Sequence, residues 1–251
     1  MTEDTTTAVT VASAGRRYLD LVGGLIERLA TDEWANIRAA AILIADALAA
    51  GHRVHAFGTG HSHMLAEELY YRAGGLVRVH PILFEGLMLH GSAPLSTSLE
   101  RLPGLAEALV WDHPVDHADV LIVASNSGGN AVTSELVQLA QMAGARVIAI
   151  TSLGHATSTT TRATGRPRLH ELADVVIDNG GCVGDAAVEI EGFGQKVAPT
   201  STVVGAAILE AIVAETVETL VARGVTPEVY ASSNIEGGDD VNAQYVSRGG
   251  R

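Results

Sequence analysis

The chain has 251 residues, a formal net charge of −13 and one cysteine, Cys182. That charge excludes a nucleic-acid surface built on clustered Lys and Arg, and a lone cysteine excludes an intrachain disulfide. Apolar residues make up 47% and aromatics only 4%; with no apolar run of about 18 residues and no basic stretch before an apolar one at the N-terminus, a soluble cytoplasmic protein with an aliphatic core is expected, free of membrane contact.

Residues 1–13 read as a flexible tail, and 14–251 as one domain, because no linker divides them. Tyr18, Leu21, Val22, Leu25, Ile26 and Leu29 recur at helical spacing. Asp32 is placed to cap a second helix carrying Ile37, Leu43, Ile44 and Leu48 and ending at Gly51. The domain therefore opens with a helical hairpin. Residues 53–57 read as a strand, 62–73 as a helix closed by Gly74-Gly75, and 77–82 as a second strand. The strongest strand is 119–124, almost wholly apolar, with a helix after it through Leu136, Val137, Leu139 and Ala140. Residues 146–151 and 174–178 repeat the strand signal, and a helix over 200–222 ends at Gly224. Apolar strands alternating with helices predict an α/β fold, a single doubly wound parallel sheet flanked by helices. The Thr-rich stretch 154–168 reads as a mobile loop, and the polar tail after Pro227 retains Tyr230 and Asn234 as docking residues.

Two strand-to-helix junctions carry small hydroxyl and glycine residues. The first is Gly58-Thr59-Gly60-His61-Ser62; the second is Ser125-Asn126-Ser127-Gly128-Gly129-Asn130. Both belong at the carboxyl edge of a parallel sheet, where helix N-termini and backbone N–H groups favour an anion. The first loop lacks the third glycine of a dinucleotide fingerprint, since His63 stands there, and no Gly-Lys-Ser/Thr of a nucleotide P-loop occurs. Thr200, Ser201 and Thr202 open the long helix after Pro199 and face the same edge, as ligand contacts or as caps.

These loops resemble those of the sugar isomerase (SIS) family, over about 18–225. The resemblance implies that Ser62, Ser125, Ser127 and Asn130 contact a phosphate, with Asn126 and Gly128 lending backbone N–H groups; Gly60, His63 and Ser201 are further candidates for lining the substrate, with capping the other reading of His63 and Ser201. Family members often carry Thr where Asn130 stands. The stretches Thr59-Gly60-His61-Ser62-His63, Phe84-Glu85-Gly86, Val175-Val176-Ile177-Asp178-Asn179-Gly180 and Asn234-Ile235-Glu236-Gly237-Gly238-Asp239 resemble more closely a stand-alone branch similar to N-acetylmuramic acid 6-phosphate etherases. Dehydration of N-acetylglucosamine 6-phosphate is the activity this implies, in a homodimer without cofactor.

Such a lyase needs a base for the C2 proton and a donor for the departing C3 oxygen. Glu85 lies within an apolar run and ranks first as the base, unless it caps a helix; Glu67 ranks second. His61 is placed to assist ring opening, and His90 and His155 are further candidates. His61 and His63, two residues apart, make a poor zinc pair, and no Cys/His metal spacing occurs, so no metal is expected. An aldose–ketose isomerase or a phosphosugar sensor remains the alternative, although a sensor of this fold would carry a basic DNA-binding segment.

Overall fold

The computed structural model of the chain describes residues 12–246 except 161, 163 and 164. The tail expected over 1–13 therefore lies almost entirely outside the described residues, as do 247–251. The hairpin is α1 (Ala14–Thr31) and α2 (Trp34–Ala49). Asp32 does not cap α2: it closes α1, donating its N–H to Arg28 O, and Glu33 takes the N-cap position. The Glu33 carboxylate accepts from Asn36 Nδ2 at 2.9 Å and from the Asp178 N–H at 3.2 Å. It thereby ties the hairpin to the sheet.

The alternating part consists of β1 (Val54–Gly58), α3 (His63–Glu68), β2 (Val79–Ile82), α4 (Ala93–Leu99), α5 (Leu105–Asp112), β3 (Val120–Ala124), α6 (Ala131–Ala143), β4 (Arg146–Thr151), α7 (Leu153–Ala156), α8 (Leu169–Leu172) and β5 (Val175–Asp178). A small antiparallel hairpin of β6 (Ala186–Val188) and β7 (Val197–Pro199), then α9 (Ser201–Ala222) and α10 (Gly238–Val246), complete the chain. The large sheet runs β2-β1-β3-β4-β5 with every pair parallel. β1 and β3 are buried at each position, so both faces must be covered, which is why β3 reads as an unbroken apolar run. Ile37, Ile44, Ile208 and Ile212 pack α2 and α9 on one face; Leu109, Leu136, Val137 and Leu169 pack α5, α6 and α8 on the other.

Helix α3 is shorter than the 62–73 expected. Beyond it the backbone pairs with the C-terminal tail: Gly74 N–H donates to Tyr230 O, Tyr230 N–H to Gly75 O, and Val77 N–H to Glu228 O. The tail after Pro227 thus docks, and Asn242 on α10 holds it by donating to Ala231 O and accepting from Ala231 N–H. No helix among the described residues is long and apolar enough to cross a membrane.

One ionisable pair is buried between β1 and β3 at the amino side of the sheet. His55 Nε2–H donates to Asp119 Oδ2 at 3.0 Å, and both side chains are about 3% exposed. Burial pushes the His55 pKa below the ordinary histidine value, although Asp119 opposes it. Burial works to raise the Asp119 carboxyl, but N–H bonds from Arg53 and Asp116, with His55, outweigh it and hold the pKa below the usual carboxylate value. The unfolded chain therefore takes up protons before the folded one at both sites. Stability is lost as pH falls through the ordinary histidine range, about 6.5, and again below the carboxylate range, about 4. Urea midpoints should fall between pH 7.5 and 5.5, and His55→Asn should remove up to one proton from that slope; an unaltered slope would place the effect elsewhere.

Candidate functional site

The strand order reverses between β1 and β3. The chain runs from β1 outward to β2 and returns to β3 on the opposite side, so the connections leaving these two neighbours diverge and open a crevice at their carboxyl ends. In register, Gly58 faces Ala124. The two glycine- and hydroxyl-bearing loops therefore start level, on either side of that crevice.

The first loop folds back on itself through a short 3-10 turn, Gly60–Ser62, with Ser62 N–H donating to Thr59 O at 3.0 Å. A Cβ on Gly58 would sit 2.3 Å from Ser62 O, so only glycine permits this closure. Ser62 is thereby placed at the start of α3. The second loop is closed by Ser125 Oγ, which accepts the Gly128 N–H at 3.1 Å. Gly128 has φ +62, and a Cβ there would lie 2.9 Å from Leu169 Cβ on α8. Thr151 Oγ1 donates to Ser125 O at 2.7 Å, and Asn179 Nδ2 donates to Asn126 Oδ1 at 2.8 Å. Buried side chains from the ends of β4 and β5 thus hold this loop from beneath.

Ser62, Ser125, Asn126, Asn179, Ser201 and Thr202 line one small pocket at this edge. Of the residues singled out by sequence, Ser62, Ser125, Asn126, Ser201 and Thr202 come together there. The Ser201 hydroxyl donates to Asp185 Oδ2 at 2.5 Å, and Asp185 also accepts the Thr200 and Ser201 N–H groups. A larger cleft, lined by Arg53, Arg78, His80 and Tyr245, lies at the amino edge of the strands, away from both loops. Convergence of polar groups, rather than size, selects the smaller one.

The remaining candidates surround this pocket. Ser127 offers its carbonyl to Arg168 Nη1 at 2.7 Å, and Asn130, at the N-cap of α6, accepts from Arg162 Nη2 at 3.0 Å. The 154–168 stretch contains part of α7, and Arg162 and Arg168 within it are bonded to the second loop, bringing positive charge into an acidic protein. Gly60 accepts from His63 Nδ1, so His63 is a buried support of the first loop. His61 is exposed at the rim. His155 is engaged, its Nδ1 accepting the Gly184 N–H at 2.9 Å, and burial pushes its pKa down.

Glu85 requires a correction. It opens a short 3-10 turn, Glu85–Leu87, after β2, and it is exposed, with Phe84 beside it 40% exposed. The apolar run is asymmetric: Leu87 turns inward and Glu85 outward, so the run does not bury the carboxylate. No helix is capped by it either, and among the described residues it has no ion-pair partner. Glu67 is also exposed, 3.6 Å from His63 Nε2. Sequence reasoning missed Glu100. Its Oε2 accepts from Thr59 Oγ1 at 3.0 Å, while its carbonyl accepts the Val132 N–H at 3.2 Å. It ties the first loop to the first turn of α6. Nothing in its sequence neighbourhood marks it, because the contact depends on how α4 lies.

The architecture is a doubly wound α/β domain with hydroxyl-rich loops at the strand reversal. Residues 17–152 match the SIS_2 family, the SIS domain, and the chain belongs to that family. It is 41% identical over 231 residues to a UPF0309 protein of Listeria monocytogenes serotype 4b, covering 92% of this chain and 94% of that one. It is 44% identical over 227 residues to a UPF0309 protein of Brucella canis, covering 90% of each. Among solved structures, a phosphoheptose isomerase from Francisella tularensis matches with a TM-score of 0.52 at 16% identity, over 83% of this chain and 100% of that one. A phosphosugar isomerase-type protein of Bacteroides fragilis, connected with capsule formation, matches with a TM-score of 0.52 at 20% identity, over 83% and 90%. These two likenesses concern the fold.

Proposed function

We propose that the chain is a phosphosugar lyase that dehydrates N-acetylglucosamine 6-phosphate. The observation carrying this reading is the convergence of Ser62, Ser125 and Asn126 on one pocket at the strand reversal, in a chain of a family whose solved relatives in fold include phosphosugar isomerases. Hydroxyl protons, loop N–H groups and the start of α3 suit a phosphate dianion there. A phosphate so held lets the sugar extend over the first loop toward His61, Glu85 and Glu100. In the open-chain aldehyde, a carboxylate takes the C2 proton and the electron pair passes into the carbonyl as an enolate. Collapse of the enolate expels the C3 oxygen, which leaves as water after receiving a proton. The product is a 2,3-unsaturated aldehyde, and no oxidant is consumed.

Incubation with N-acetylglucosamine 6-phosphate should yield an ultraviolet-absorbing product lighter by one water. A ketose product with C2 exchange would replace this reading with aldose–ketose isomerisation, and untouched substrate at saturating protein would leave a binding protein. Ser125→Ala and Ser127→Ala should each raise KM by roughly ten- to a hundredfold, the scale of a lost hydrogen bond to a charged group at about 1.5–3 kcal/mol. Unchanged KM in both would remove the second loop as the phosphate site.

Glu85 is the proposed base, supported by its unpaired, accessible carboxylate beyond β2. Glu85→Gln should lower turnover by roughly a hundredfold or more and abolish solvent exchange at C2, with little change in affinity. Because Glu85 is exposed, the stability of the fold should not move. If Glu85→Gln turns over normally and Glu100→Gln does not, the role passes to Glu100.

A homodimer belongs to the same reading. Leu19, Ile26 and Trp34 are 65%, 38% and 42% exposed along the N-terminal hairpin, an apolar face suited to a second copy. Sedimentation as a 26.0 kDa species at micromolar concentration would exclude it.

A further inference from the structure

Three side chains beside the first loop aim donor atoms at one spot. We propose that His63, Glu67 and His90 form a binding site for a divalent transition metal of the zinc type, separate from the phosphate pocket. One ligand atom of each lies within 4.8 Å of the other two. His63 and Glu67 stand at i and i+4 on α3 and share a face. His90 arrives from the segment between the Glu85–Leu87 turn and α4, its ring edge-on to that of His63 with centroids 5.0 Å apart.

The protonation of His63 is decisive. The Gly60 carbonyl can only accept, so His63 Nδ1 holds the proton it donates there. In the neutral ring Nε2 is then a bare lone pair. That atom is buried and has no hydrogen-bond partner, and the side chain is 3% exposed. It faces Glu67 Oε1 at 3.6 Å. A lone pair opposite a carboxylate oxygen repels unless something positive lies between them, either a proton on Nε2 or a cation.

The distance favours the cation. An imidazolium–carboxylate hydrogen bond closes to about 2.7–2.9 Å. Two ligands of a tetrahedral zinc, each about 2.1 Å from the metal, stand about 3.4 Å apart. Metal-bound histidines also hand their other N–H to a carbonyl, as His63 does to Gly60. Glu67 and His90 are exposed and free to rotate the remaining distance. Two imidazoles and a carboxylate suit Zn²⁺ or Co²⁺, and three protein ligands leave a fourth position open to water or a substrate oxygen. Sequence spacing pointed away from a metal because the pair it offered was His61 and His63; His90 joins only through the fold. The site stands whether or not the phosphosugar reading does.

The test uses the tag-free chain, stripped with chelator and titrated with Co²⁺. One Co²⁺ per chain is expected, with the visible absorption of a tetrahedral site, displacement by Zn²⁺, and a melting temperature that rises with metal concentration. Glu67→Gln and His90→Ala, both at exposed positions, should each weaken Co²⁺ binding by roughly tenfold or more. His113→Ala, at the end of α5, should leave it unchanged. The proposal is overturned if Co²⁺ does not bind, or binds equally well to the Glu67 and His90 variants. It is also overturned if nitrogen NMR of the wild-type chain in excess Zn²⁺ shows both His63 ring nitrogens protonated, since the cluster is then an ion pair.

Discussion

The parallel pairing of β1 with β3 is the constraint on which the site depends. Val54 to Gly58 lie opposite Val120 to Ala124 without a slip, and both strands are buried on both faces. A shift of one residue would turn each side chain to the other face, into helices that do not fit it. Because the register is held by the core, the strands end level, and Thr59 and Ser125 begin their loops at the same height. Glu100 then ties the first loop to the start of α6, bonding to Thr59 on one side and to Val132 on the other. The crevice is a product of strand order, and its width depends on the register.

The buried polar groups at the carboxyl edge show how such a crevice is kept in shape without a ligand. Thr151 and Asn179 hold the second loop, and Asn179 in turn accepts from Gly181 N–H at 2.9 Å. Asp178 binds the Leu153 and Gly180 N–H groups through Oδ1 and Arg28 through Oδ2 at 2.5 Å. Arg28 belongs to α1, so the N-terminal hairpin anchors the far end of the site as well as covering the core. Buried polar groups are costly unless partnered, and a network in which each member satisfies the next makes the loop positions mutually dependent.

Charge is distributed unevenly around this edge. The chain is acidic overall, yet Arg162 and Arg168 are bonded to the second loop. At the start of α9, the Asp185 carboxylate occupies the N–H groups that an incoming anion would otherwise use. Asp185 has φ +66, an unfavourable backbone state for a non-glycine residue. The start of α9 is thus already neutralised by the chain itself.

The sequence by itself determined the sheet, its parallel character and the two loops, because burial on both faces leaves only apolar residues in β1 and β3, with His55 the paired exception, and because close turns at the strand ends demand glycine and small hydroxyl side chains. These are local requirements, written where they act. It misplaced the α2 cap at Asp32, overextended α3 and set Glu85 in an apolar pocket, since neighbours in sequence do not reveal which side of a turn faces solvent. Glu100, Asp185 and the grouping of His63, Glu67 and His90 were decided by tertiary structure alone. Each joins segments far apart in the chain, and only the packing of α4, the 83–92 segment and the β6–β7 hairpin against the sheet brings those atoms within bonding distance.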